Sequence, residues 1–199
     1  MSHFNCLVIH KEEQNIDELM APYSEELKIK PYIRETKDKC YKKYLQARRD
    51  ARDKPGSFFA KKQKEEADII GMSFERFKEW YWGEGRIWDK EGNLLTTYNP
   101  NSRWNYYTVG GSWENLLPRK KGAKCNSCLI TEVDWKKPII IYAVVTPGGK
   151  WHSRGKMLYF GISDETEEKA KDWKLNFYDH FIKTHLSSEF FGTILDCHI

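Results

Sequence analysis

Apolar residues in this chain come in short runs separated by charged stretches, and their spacing predicts the elements. Residues 4–9 are apolar and contain Val and Ile, which predicts a first strand near the centre of a sheet. Residues 14–20 predict a short helix that Pro22 terminates. Residues 27–33 alternate as L-K-I-K-P-Y-I, a half-buried strand that Pro31 confines to an edge. Residues 36–52 are charged, lack Gly and Pro, and set Cys40, Tyr44 and Leu45 on one face, the pattern of a helix with a thin apolar stripe. The D-K-P-G-S sequence at 53–57 breaks it, and a second helical stretch runs to about Ile70. Ser73 is an N-cap for a third helix whose Phe74, Phe77, Trp80 and Tyr81 form an aromatic face, stopped by Gly83.

Residues 86–88 and 94–98 flank D-K-E-G-N, which predicts a hairpin. Residues 128–135 read as a short strand. The run P-I-I-I-Y-A-V-V-T at 138–146 is the strongest strand signal, apolar enough to imply burial on both faces. A Pro-Gly-Gly turn leads into its hairpin partner at 151–160. Asp164 and Glu167 have capping-box spacing and open a helix to about Leu186, striped with Trp173, Phe177 and Phe181. Residues 192–199 close the chain as a strand. Strands at both ends and in the middle, without βαβ alternation, predict an α+β domain over 1–199. Its sheet is mainly antiparallel with helices packed on one side, and residues 34–82 form a basic helical excursion.

Composition adds where charge lies. The 199 residues carry a net charge of only +4, yet residues 34–64 hold twelve Lys/Arg against four Asp/Glu. Arg119, Lys120, Lys121 and Lys124 form a second basic cluster. Such clusters suit phosphate, although a solvated helix face has the same composition. Five scattered cysteines fit reduced thiols better than a disulfide framework. No apolar run reaches spanning length and the N-terminus lacks a signal-peptide pattern, so a cytoplasmic chain without a membrane partner is expected.

The candidate chemistry centres on residues 99–113, N-P-N-S-R-W-N-Y-Y-T-V-G-G-S-W. Four aromatics, three asparagines, one arginine and two adjacent glycines suggest a shaped surface that stacks and hydrogen-bonds a polar, ring-bearing ligand. Asn99, Asn101 and Asn105 supply amides, and Arg103 suits phosphate or carboxylate. Trp104, Tyr107 and Trp113 supply faces, while Gly110 and Gly111 let a ligand approach the main chain. His152, just after the Pro-Gly-Gly turn, is a proton donor or acceptor near neutral pH. On a final strand Asp196 and His198 share one face and Cys197 takes the other. Cys125-Asn-Ser-Cys128 has half of a zinc-site spacing with no second half, so no metal is expected, and no cofactor motif is present.

Several of these segments resemble an uncharacterised family of bacteriophages and prophages. The shared features are the Ser2-His3-Phe4 opening, Leu19-Met-Ala-Pro-Tyr23, Lys30-Pro31-Tyr32, the W-H-x-x-G-x-M segment at 151–157 and the Asp196-Cys197-His198 ending. The family's central motif is N-P-N-S-K-W-D-W-Y-x-I-G-G-R-W, and Arg103, Asn105 and Ser112 depart from it here. The resemblance implies a viral or prophage origin and no particular reaction. Loss of the motif's carboxylate and guanidinium favours binding over catalysis by that stretch. The resulting expectation is a phage-encoded protein that binds a nucleotide-like or nucleic-acid ligand, in a setting of interference with host or defence machinery. The competing expectations are a metal-independent hydrolase or transferase using His152, Asp196 and His198, and a protein-binding inhibitor.

Overall fold

The apolar run near the N-terminus becomes β1 (His3–Lys11), buried along nearly its whole length because strands flank it on both sides. The structure, a computed structural model, describes residues 2–157 and 162–199. It is α+β, and the chain divides into two compact units, Met1–Leu27 with Asn99–Ile199, and Lys28–Tyr98.

In the first unit, β1 pairs antiparallel with β8 (Phe190–His198) over nine residues, from His3 opposite His198 to Lys11 opposite Phe190. The other strands of this unit are β4 (Tyr106–Val109), β5 (Ser127–Leu129), β6 (Ala143–Val145) and β7 (Trp151–Ser153). The sheet order is β4-β8-β1-β6-β7, with β5 also pairing β8 and only β1–β6 parallel. Alternation gives the sheet two apolar faces. Leu7, Ile9, Val144 and Ile194 pack with Ile130, Val133, Phe181 and Ile182 on one. Phe4, Cys6, Val8, Ala143, Leu195 and Cys197 pack with Met20, Trp104 and Tyr107 on the other. Helix α1 (Ile16–Met20) lies with the second cluster. Helix α5 (Glu167–Phe177) and the π-helical turn after it, Tyr178–Ile182, serve the first.

The second unit wraps α2 (Lys37–Asp53), α3 (Phe58–Glu65) and α4 (Phe74–Trp82) around Cys40, Tyr44, Ala47, Ile69, Phe77 and Leu94. Its antiparallel ribbon joins β2 (Tyr32–Glu35) to β3 (Leu94–Thr96). Thr36, Ser57 and Ser73 cap the three helices by accepting backbone N–H bonds, as their side chains favour. The basic stretch 34–82 lies within this unit.

The structure departs from the sequence pattern in instructive places. The run at 138–146 forms a strand only at Ala143–Val145. The reason is Asn5 on β1, whose Nδ2 donates to the Ile140 carbonyl (2.9 Å) and whose Oδ1 accepts the Tyr142 N–H (2.7 Å). A side chain thus satisfies backbone groups that a ladder would otherwise use, and Ile140 is 71% exposed rather than buried. β2 begins after Pro31, which lacks the N–H a ladder needs. Thr166, not Asp164, caps α5. The strand expected at 128–135 gives way after Leu129 to a 3₁₀ turn, Ile130–Glu132. Of the hairpin partner expected at 151–160, Trp151–Ser153 is strand and 158–160 lie outside the described residues.

Candidate functional site

β1 and β8 bring polar side chains to one end of one sheet face. His3 and Asn5 on β1 oppose His198 and Asp196 on β8, and Tyr106 and Thr108 of β4 oppose the same two residues from the other side. Paired residues point to the same face, so His3, His198, Asp196 and Tyr106 form one cluster.

Two histidines there are anchored alike. His3 Nδ1 lies 3.0 Å from Asp196 Oδ1, and His198 Nδ1 lies 3.0 Å from Asn105 Oδ1. Both oxygens accept, so each Nδ1 carries a proton and each neutral ring keeps its lone pair on Nε2. His198 is 2% exposed, and its Nε2 is buried with no hydrogen-bond partner among the described residues. The His3 side chain is 40% exposed. The two rings meet edge to face at 4.7 Å, and Tyr106, 48% exposed, stacks on His198 at 4.3 Å.

Asp196 is the fixed point of the cluster. Its Oδ2 accepts the Ser112 N–H at 2.8 Å. Burial alone would raise its carboxyl pKa, but the Ser112 N–H and His3 outweigh that and hold it below the ordinary carboxylate value. Burial lowers the pKa of His198, and nearby His3 adds to the effect, against the opposing pull of Asp196. Gly111 makes the Ser112 contact possible. Its φ is +51°, and a Cβ there would sit 2.5 Å from the Asp196 side chain. A Cβ on Gly110 would likewise meet Asn126 at 2.5 Å. The glycine pair is therefore occupied by the protein's own side chains, not by space for a ligand.

No family model, curated protein or solved structure matches this chain.

The other residues of 99–113 divide between support and surface. Asn99 is buried, and its Nδ2 donates to the carbonyls of Pro22 (2.8 Å) and Ser24 (3.0 Å) while its Oδ1 accepts the Asn101 N–H. Trp104 donates from its indole to the Met20 carbonyl, and Tyr107 donates its hydroxyl to Asp17. Burial and then that carboxylate push the Tyr107 hydroxyl pKa upward. Trp104 and Tyr107 pack on one core and Trp113 on the other, so these three rings do not form an open stacking wall. Tyr106 is the exposed ring.

Arg103 lines a polar depression of about 420 Å³ with Arg154, Lys156, Lys169 and the carboxylates Asp164 and Asp172. It lies two residues before Asn105, which holds His198.

His152 does not join this cluster, which corrects the grouping of His152 with Asp196 and His198. β7 is three strands from β8, roughly 14 Å at the usual interstrand spacing. Through Val144 and Leu7, His152 is level with Ile194, four residues from His198 along β8. Its ring sits edge-on to Phe181, and burial lowers its pKa. His3 takes the place assigned to it. Polar residues at 3 and 5 interrupt one face of an otherwise apolar strand, as 196 and 198 do at the other end of the chain, and that symmetry was the available signal. The pKa of the free Cys128 thiol is pushed up to about 12 by burial and then by its hydrogen bond with the Cys125 thiol. Among the described residues no group of three or more His, Cys, Asp or Glu is arranged to hold a metal ion, and no helix is long and apolar enough to cross a membrane.

Proposed function

We propose that the protein acts on a phosphate-bearing, nucleotide-like ligand where β1, β8 and β4 meet, with His3 as the proton-transferring group. The observation that carries this reading is a pair of histidines with anchored Nδ1 beside a buried carboxylate, with the buried Nε2 of His198 unpaired among the described residues. In this reading His3 Nε2, reachable from solvent, takes the proton of an attacking water or hydroxyl. Asp196 fixes the ring and stabilises the imidazolium, which returns the proton to the departing oxygen. The unpaired His198 Nε2 accepts a hydrogen bond from the ligand once the Tyr106 ring moves aside. Arg103, two residues before Asn105, attracts the phosphate, and the exposed face of Tyr106 offers a surface for a base.

Phosphorus NMR of the protein with mononucleotides, cyclic dinucleotides and short single strands tests this. Turnover is expected, and His3→Gln and Asp196→Asn each lower it by about a hundredfold or more with the fold retained. A protein that neither turns over nor binds any of these at millimolar concentration would overturn the reading. A second reading, binding without reaction, is favoured by the inward packing of Trp104, Tyr107 and Trp113, which leaves Asn101, Tyr106 and the half-buried Arg103 among the accessible contacts. Ligand-induced shifts of the His3 and His198 ring protons without product would single it out. The resemblance to phage proteins adds the setting: a protein made in the host cytoplasm to interfere with host or defence machinery.

A further inference from the structure

A second cavity lies between the segment 135–141 and α5. Its volume is about 620 Å³, inside the range of small-ligand sites. Trp135, Ile139, Ile141, Trp173 and Phe177 contribute its apolar walls. Both indoles have already spent their N–H groups, Trp135 on the Ile130 carbonyl (2.9 Å) and Trp173 on the Ile141 carbonyl (2.8 Å). The indoles therefore offer a ligand ring surface without a donor.

The lips have the opposite character. Lys136 and Lys137 stand on one side, Lys171 and Lys174 on the other, with Arg154 also lining the cavity, and no Asp or Glu does. Arg154 is bound to Glu165, and Lys137 lies 3.7 Å from Asp134. Lys136, Lys171 and Lys174 have no acidic partner among the described residues. Ile140 and Tyr178 extend the apolar surface outward. An oily slot under uncompensated cations on both lips is complementary to a molecule with an apolar body and one negative head. A nucleotide base would leave its polar edge unpaired against such walls.

We propose that this cavity binds a small amphiphilic anion, such as a medium-chain carboxylate, with its tail between Trp173 and Ile139 and its head between Lys171, Lys174 and Lys136. Titration of the full chain with decanoate below its micelle concentration, followed by tryptophan emission and calorimetry at low salt, tests it. Saturable one-to-one binding is expected, and Lys171→Glu with Lys174→Glu weakens it about tenfold. Both lysines are exposed, so the double variant keeps its circular-dichroism spectrum. No saturable binding would overturn the proposal, as would equal affinity for decanol or an unchanged affinity in the double variant. Binding of an acidic, aromatic peptide with no binding of decanoate would overturn it too, giving the groove to a protein partner.

Discussion

The β1–β8 pair carries a buried histidine near each of its ends, and the two are treated in opposite ways. His10 has both nitrogens engaged: Nδ1 with the Lys11 carbonyl at 2.8 Å, and Nε2 with Thr193 Oγ1 at 2.9 Å, itself 2.7 Å from Ser127 Oγ. His198 has one nitrogen engaged and one buried without a partner. A histidine with every polar atom satisfied is a structural member. One that leaves a buried nitrogen unpaired forgoes stability, which is why the proposal above gives that nitrogen to the ligand. Location in the fold does not separate the two residues, because both sit on the same pair of strands. The hydrogen-bond account does.

The largest effect expected from breaking this contrast comes from the support beneath the polar end. Gly111→Ala places a Cβ against Asp196 at a positive φ, and about 3 kcal/mol of stability is lost in urea unfolding. A loss under 1 kcal/mol would show that Asp196 is not held by that turn. Next comes the satisfied end. Thr193→Val leaves His10 Nε2 unpaired and is expected to cost about 2 kcal/mol. His198→Phe removes an unpaired nitrogen but also deprives Asn105 Oδ1 of its donor, so its cost is expected to fall about 1 kcal/mol below that of Thr193→Val. If the two variants lost stability equally, the distinction between the histidines would fail.

The smallest effect is the dependence on pH. His198 and His152 both have lowered pKa values, so each binds its proton more readily in the unfolded chain. Their contribution is fully present above the unfolded histidine value, roughly 6.5, and is lost as pH falls below it. His198→Phe should flatten part of that decline in unfolding curves, and His152→Phe a further part. Asp196 acts lower on the scale. Its depressed pKa stabilises the fold above the ordinary carboxylate value, and that share is lost as pH falls through the folded value. Asp196→Asn should remove it.

Much of this fold is legible from local pattern. The apolar run at 4–9, the caps Thr36 and Ser73 and the aromatic face at 74–81 each declare their element, because helix ends and buried strands are decided by neighbours a few residues away. The isoleucines at 139–141 mislead, because their backbone partner is the amide of Asn5, more than 130 positions earlier. The candidate site was legible in part for the same reason. Alternation sets Asp196 and His198 on one face, but which other histidine meets them depends on strand order. His152 follows a turn that draws attention, yet it lies at the far edge of the sheet. His3 stands at the start of β1, where only the antiparallel register with β8 reveals its neighbour. The glycine pair at 110 and 111 signalled close approach, but Asn126 and Asp196 make it in place of the expected ligand.

His3 and Asp196 are separated by 193 positions in sequence. A ribosome that has released β1 must therefore deliver nearly two hundred further residues before the carboxylate arrives to orient that imidazole. The central strand has no antiparallel neighbour on that side until β8 is made. A chain in which β8 has not yet been made carries no His3–Asp196 pair. Recovery of the His3–Asp196 pair during refolding would thus report completion of the whole sheet, a built-in indicator of maturity in the newly made protein.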